Sequence, residues 1–464
     1  MEAMRGVVRK MKSAYIHANK TQNSIGNRFE DKSNVEEVSL ADAICGRCNG
    51  TIKPLLKQTE FAQMAFREFF HTMPLKTDPI IDDTTLRDGI QMPGLAISPE
   101  DAAQIAKMLD ECGVERIELF HYQDSDKKAV KLIQQLGLDA RIAAWCRAVR
   151  EDIDDSIECD FDEIGISHPV SYIHFQVKWP EKTIDELLNN IVELVEYAAK
   201  DHGLRVFVHG EDSTRADWNF EKKFINAVAD GGAECYRICD TVGIGLSDFN
   251  APLPNGIPAK VRAIKAETKI KNIEIHAHDD LGNAVENTLA AIRAASGIWD
   301  RIYASTTFLG IGERAGNAAT EKVLMNLYLH HGVKKFEGKT KKLKQIADLV
   351  AKATGYRIPP NKAIVGDYAF AHESGIHTHA VLRNPIAYEP FPPELVGNAR
   401  KLTIGKYSGK AIINHKIKEV VGKPVTHHQL CAVVQKVRGI YEGGRKASLK
   451  DEEFRKILQE VGLI

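Results

Sequence analysis

Eight short apolar, β-branched runs alternate with amphipathic stretches between about residues 78 and 332, and this alternation constrains the fold more than any other feature. The runs are PIIDD (79–83), RIELF (116–120), RIAAW (141–145), DEIGIS (162–167), LRVFVH (204–209), CYRIC (235–239), NIEIHAH (272–278) and RIYAS (301–305). Between them lie segments such as EDAAQIAKMLDEC and TIDELLNNIVELVEYAAK, with apolar residues at helical spacing. Eight strand–helix units over roughly 250 residues predict a parallel α/β (β/α)8 TIM barrel. An open doubly wound sheet shares the periodicity, because alternation alone does not say whether the sheet closes. Closure has a checkable consequence, since the chemistry of such barrels gathers where strands end. Polar clusters do gather there: TTLRDGIQ after the first run, HGEDSTRAD at the fifth, DTVG after the sixth, HAHDD at the seventh and GIGERAGNA after the eighth.

Residues 76–332 are therefore expected to form the catalytic barrel, with an N-terminal extension over 1–75 and α-rich C-terminal subdomains over 333–464. The extension contains a helical pattern, PLLKQTEFAQMAFREFF (54–70), whose apolar face is expected to pack on the barrel or on a partner subunit. The basic segment VKKFEGKTKKLK (333–344) reads as a solvated linker and helix start.

Charge excludes some partners. With 62 basic and 63 acidic residues mixed along the chain, no basic stripe for nucleic acid emerges. No uncharged apolar run reaches the roughly 18 residues of a membrane span. The N-terminal MEAMRGVVRKMKS lacks the apolar core of a secretory signal, so a cytoplasmic location is expected. Eight cysteines in 464 residues fit a reducing compartment. Cys45 and Cys48 form a CxxC pair, but no second ligand pair lies near, and they read as two reduced thiols.

His276 and His278 stand two apart on the seventh run, so both imidazoles should face the same way. In a closed barrel the first and seventh strands are separated only by the eighth, which brings Asp88 to the same rim. Asn317, in GERAGNA, offers a weaker amide oxygen. Two imidazoles, a carboxylate and an amide oxygen suit an octahedral Mg²⁺, Mn²⁺ or Co²⁺, with Zn²⁺ as an alternative. Arg87 beside Asp88 is placed to meet negative charge growing on a substrate. GIGERAG fails the GxGxxG spacing of a phosphate loop and reads as a tight turn that positions Asn317.

TTLRDGIQ, HAHDD and GIGERAGNA, in this order on successive strands, resemble the Claisen-condensing branch of the DRE-TIM metallolyase superfamily, which contains isopropylmalate, homocitrate and Re-face citrate synthases. GEDSTRAD, CDTVG, AWCRAV and ISHPVSYIHF are most similar to the nitrogen-fixation type of homocitrate synthase. HESGIH and NPIAYEP resemble the family's C-terminal motif, in which a histidine and a tyrosine serve the partner's site. The resemblance implies an acyltransferase that condenses acetyl-CoA, as co-substrate, with an α-keto acid in a homodimer with shared active sites. It assigns Asp88, His276, His278 and Asn317 to the metal, and Arg87 to the growing alkoxide. Thr241 and Gln91 would contact substrate, and Glu211, His377 and Tyr388 would move protons. Each has a plainer reading: Glu211 as a partner of Arg215, His377 as a packed helix histidine, and Tyr388 as an ordinary loop aromatic.

Lysine-pathway homocitrate synthases resemble RFSSED where this chain has FVHGED, so Phe207 and His209 stand in place of an arginine and a serine. Losing a bidentate guanidinium and gaining bulk favours a shorter diacid, with His209 or Arg147 meeting its far carboxylate. About 130 residues follow the barrel, which argues against a leucine-sensing domain. Oxaloacetate, giving citrate, is the expected substrate. The alternatives are 2-oxoglutarate, giving homocitrate, and the keto acids of isopropylmalate and citramalate synthases. A metal-dependent aldolase or lyase of the same superfamily is the alternative of another class.

Overall fold

The computed structural model describes Phe70 and residues 73–464; the helical pattern at 54–70, apart from Phe70 itself, and the Cys45–Cys48 pair lie outside these residues. The strands are β1 (Ile80–Asp83), β2 (Arg116–Leu119), β3 (Arg141–Arg147), β4 (Glu163–Pro169), β5 (Arg205–Glu211), β6 (Cys235–Asp240), β7 (Asn272–Ala277) and β8 (Ile302–Thr306). They are parallel and close in sequence order, with β8 returning to β1 through Asp82 opposite Ser305. The open-sheet alternative is excluded. The helices alternating with them are α1 (Pro99–Cys112), α2 (Asp124–Gln134), α3 (Arg150–Glu158), α4 (Tyr172–Lys178), α5 (Ile184–Glu196), α6 (Trp218–Gly231), α7 (Ile257–Glu267), α8 (Ala284–Ala295) and α9 (Thr320–Leu329).

Local chemistry sets several of these boundaries. Ser98 caps α1 by accepting from the Asp101 amide, with Pro99 in the first turn, and Gly113 ends the helix in the left-handed region at φ 92°. Thr183 and Glu186 form a reciprocal capping box at the start of α5. Between the strands' outward faces and the helices lies a continuous core that includes Ile81, Ile117, Ile164, Val208, Ile275 and Ala304, all essentially unexposed.

The barrel interior is charged. Arg116 pairs with Asp82, Glu163 and Glu274, and Arg237 with Asp82, Glu118 and Glu274, all without solvent exposure or nearly so. Phe207 and Tyr303 sandwich the Arg116 guanidinium at 4.1 and 4.6 Å. Such a network is stable only as a set, because removing one partner strands a charge in low dielectric.

The segment 333–344 departs from the solvated linker expected of it. Val333, Phe336 and Leu343 are buried, and Lys335 pairs with Glu115, so the segment packs on the barrel and leads into α10 (Leu343–Thr354). Its lysines sit at the edges of an apolar stripe that composition alone conceals. Beyond it come β9 (Ala371–His372), α11 (Gly375–Arg383), β10 (Lys401–Leu402), α12 (Lys410–Val421), α13 (His427–Glu442) and α14 (Asp451–Glu460). Helices α12 to α14 bury a second core around Ile413, Ile417, Val433, Val437 and Leu458.

Candidate active site and metal centre

β1 ends in a turn that lifts Arg87 and Asp88 over the barrel mouth, with the Arg87 and Gly89 amides both returning to the Thr84 carbonyl at 3.0 Å. His276 is the last but one residue of β7, and His278 lies just past its end, in an isolated bridge with Asn317. The expectation that both histidines sit within the strand is thus corrected by one residue, yet their rings converge. Their Nε2 atoms are 3.2 Å apart, and Asp88 Oδ2 is 3.6 Å from His276 Nε2. The three donor atoms lie within 4.8 Å of one another, and all three side chains are buried.

The protonation states suit a cation. Burial holds His276 well below the ordinary imidazole value, and the neighbouring His278 and Arg87 charges push the same way. His278 is lowered as well, chiefly by burial. Burial opposes ionisation of Asp88, but the Arg87 guanidinium foremost, with the adjacent His276 and His278 rings and a hydrogen bond from Asn317, overrides it and leaves its pKa at about 2. Two neutral imidazoles and an ionised carboxylate facing one point are a donor set for a divalent ion. The Ser305 hydroxyl lies 3.0 Å from His276 Nδ1 and orients the ring. Asn317 donates through Nδ2 to Asp88 Oδ1 at 2.6 Å, which leaves its buried Oδ1 without a partner. That orphan oxygen is the fit one expects of a further metal ligand.

Arg87 is fixed on three sides. It donates to Asp88 at 2.9 Å and to Glu118 at 2.6 Å, and its guanidinium lies 5.4 Å from the Trp145 ring centroid. Glu118 in turn meets Arg237 at 2.8 Å, and burial notwithstanding, Arg237 and Arg87 hold its carboxyl well below the usual range.

Elsewhere on the rim, Glu211 is the last residue of β5. Burial opposes its ionisation, but contacts from His174 at 3.3 Å and Lys178 at 2.6 Å keep its pKa low. Arg215 does not pair with it; it pairs with Asp212 at 2.8 Å instead, because Asp212 turns back in the left-handed region at φ 66°. Thr241 Oγ1 accepts from the Asp212 amide at 2.8 Å, which leaves its own O–H free to donate. His209 is buried in the lumen over Phe207, with ring centroids 5.1 Å apart. Its Nε2 has no hydrogen-bond partner and lies 3.7 Å from Glu118. Gly165 makes room for both rings, since a Cβ there would collide with His209 and Phe207.

Other candidates stand apart. Arg147 is exposed and held by Asp152 through two side-chain hydrogen bonds, at 2.7 and 3.0 Å, and one from its own amide at 2.8 Å. Gln91 is exposed at the end of the turn that carries Asp88. His377 on α11 and Tyr388 are both exposed and stack at 4.2 Å between ring centroids. Among the described residues, no hydrogen bond or ion pair joins them to the Asp88–His276–His278 cluster. Glu118, Trp145, Ser305 and Lys178 were not read from the sequence; the available signal was an acid at an inward position of an apolar strand, as in RIELF.

Comparison with known proteins gives two family matches. The family described as HMGL-like matches residues 78–350, and the one described as homocitrate synthase post-HMGL domain-like matches residues 364–444. 2-Isopropylmalate synthase of Methanocaldococcus jannaschii is 40% identical over 378 residues, covering 80% of this chain and 70% of that protein. The (R)-citramalate synthase CimA of the same organism is 38% identical over 385 residues, 82% of this chain and 74% of that one. Its homocitrate synthase AksA is 40% identical over 386 residues, 83% of this chain and 91% of that one.

Proposed function

The chain belongs to the HMGL-like family, in the acetyl-CoA-condensing branch of the DRE-TIM metallolyases, and on that premise we propose that it condenses acetyl-CoA with oxaloacetate to give citrate. The observation that carries the choice of keto acid is His209, whose unpartnered, buried Nε2 and the Phe207 ring beneath it form a short, polar floor. A longer diacid would have to displace Phe207 from its stacking with Arg116, and a branched aliphatic keto acid would leave the imidazole unpaired. Burial, with the neighbouring Arg237, holds His209 well below the ordinary imidazole value, so it is a neutral hydrogen-bonding group at this floor. The homocitrate alternative, with 2-oxoglutarate, draws support from the post-barrel match and from the extensive overlap with the AksA protein.

Asp88, His276, His278 and Asn317 would hold a divalent ion such as Mn²⁺, Mg²⁺ or Co²⁺, which supplies Lewis-acid polarisation of the keto group. Arg87, pinned by Asp88 and Glu118, presents fixed positive charge to the keto oxygen as it becomes an alkoxide. The Thr241 hydroxyl donates to the 1-carboxylate. Glu211, kept ionised by Lys178 and His174, and the His377–Tyr388 pair of a partner subunit take the proton from the acetyl methyl and return one to the alkoxide. The methyl carbon bonds the keto carbon, and water then cleaves the thioester to release the CoA thiol. Initial rates of thiol release with acetyl-CoA and oxaloacetate, 2-oxoglutarate, pyruvate or 2-oxoisovalerate test the assignment. The highest kcat/KM is expected for oxaloacetate, with 2-oxoglutarate next; preference for 2-oxoisovalerate would sink both diacid readings.

A further inference from the structure

The loop after β8 carries a residue in an unfavourable backbone conformation close to the metal cluster. Leu309 is left-handed at φ 63°, ψ 3°, a region that a residue with a Cβ adopts at a cost unless its surroundings impose it. Its side chain is buried, so it is not there for want of space elsewhere. What imposes the conformation is visible at both ends of the residue. The Leu309 amide donates to Glu321 Oε2 at 3.0 Å, and the Leu309 carbonyl accepts from Lys362 Nζ at 2.7 Å. Glu321 lies in the first turn of α9, fully buried, and its other carboxylate oxygen has no hydrogen-bond partner. Lys362 comes from the segment between α10 and β9, ten residues ahead of His372. Burial lowers the Lys362 ammonium and raises the Glu321 carboxyl, and each charge opposes the other's shift, so the two face one another across the Leu309 peptide.

From Leu309 the path to the metal cluster is short. Gly310 follows at φ 62° and its carbonyl accepts from the Asn317 amide at 3.1 Å. Ile311 accepts from Asn317 Nδ2 at 3.2 Å, the same nitrogen that donates to Asp88. Gly312 and Gly316 pack without room for a Cβ, so the loop has no slack through which a displaced Leu309 could be absorbed.

We propose that Lys362 is a positioning residue: together with Glu321 it latches the Leu309 peptide, and so makes the pose of Asn317 beside Asp88 depend on the seating of the C-terminal segment on the barrel. This rests on the metal centre proposed above, and it adds that the chain following the barrel helps to set that centre's geometry from within its own subunit. The latch acts on the loop, not on substrate, so its loss should register in the absence of any substrate.

The test is Mn²⁺ binding to the full-length, metal-stripped protein by electron paramagnetic resonance, with thermal unfolding of each variant in parallel. Lys362→Met should weaken Mn²⁺ binding about tenfold, the scale expected when a group that orients ligands is lost, and Lys362→Arg should largely keep it. Leu309→Gly makes positive φ free of cost, so adding it to Lys362→Met should restore most of the affinity even as removal of a buried side chain lowers the melting temperature further. Recovery of binding with falling stability cannot come from fold stability. Should Lys362→Met fail to fold, Glu321→Ala removes the other end of the latch and should weaken binding and respond to Leu309→Gly in the same way. Wild-type affinity in Lys362→Met, or weakening that Leu309→Gly does not correct, would overturn the latch while leaving the metal centre intact. A wild-type protein that binds no Mn²⁺ would overturn the metal centre and the latch with it.

Discussion

At the scale of single residues, the site is organised by buried carboxyls in opposite electrostatic settings. Asp88, surrounded by Arg87 and two histidines, is driven down to about 2, whereas Asp83, five residues earlier on the outward side of β1, is pushed up to about 6 by burial. Asp83 accepts from the Thr85 amide and the Thr320 hydroxyl, at 2.9 Å each, and lacks a cation to balance its charge. Because its folded value lies above the 3.8 of the free side chain, the folded state holds the proton more tightly than the unfolded chain does. The stability it confers is therefore fully present below about pH 4 and is lost as pH rises through about 6, a penalty on the order of 3 kcal/mol at neutral pH. Asp83→Asn keeps an acceptor for Thr85 and cannot ionise. Its melting temperature should exceed that of the parent at pH 8, and the difference should hold down to about pH 6 and shrink from there towards pH 4. A difference that does not change with pH would contradict this.

At the scale of elements, the proposed metal ligands depend on turns more than on strands. β7 ends before His278, so the second imidazole is aimed by the bridge to Asn317 and not by the strand. Gly312 is where the loop backbone meets the ligands directly, because a Cβ there would collide with Asn317 Nδ2 and Asp88 Oδ1 at once. Gly312→Ala is expected to weaken Mn²⁺ binding at least tenfold while circular dichroism stays native. Gly439→Ala, in α13 with open space around it, should bind Mn²⁺ normally and gain up to about 1 kcal/mol from helix propensity. Equal effects of the two would show that the loop has slack. The same contrast explains what the sequence disclosed. LRDG, HAH and GERAGN are runs of unusual residues at strand ends, so Asp88, His276, His278 and the closed barrel were legible from pattern and spacing. Glu118, Trp145 and Lys362 were not, since each is a single residue whose meaning lies in a partner far along the chain: Arg87 to Glu118 spans 31 positions and Leu309 to Lys362 spans 53. The buried stripe of 333–344 was hidden for another reason, as lysines dominate its composition while Phe336 and Leu343 set its packing.

At the scale of the whole molecule, the proposed proton-moving pair is poorly sheltered for a chain acting alone. His377 and Tyr388 stack on each other in the open, beside Ile376 at 77% exposure and Tyr407 at 73%, surfaces that a solitary subunit would leave wet. The barrel rim offers apolar residues in return: Tyr172, Ile173 and Val177 on α4, and Leu281 after β7, are exposed around the mouth. A two-fold dimer that sets one subunit's pair over the other's mouth would bury both faces and complete two identical sites. Complementation separates this arrangement from one in which each chain serves itself. Arg87→Ala and His377→Ala should each be nearly inactive, because each removes one half of the machinery. If the halves come from different chains, a mixed dimer of the two variants contains one site with both defects and one with neither. Unfolding and refolding an equimolar mixture should then recover roughly a quarter of the wild-type thiol-release rate, since half the dimers are mixed and half their sites are whole. If each chain served its own site, every site in the mixture would carry a defect, and the rate would stay at the level of the separate variants.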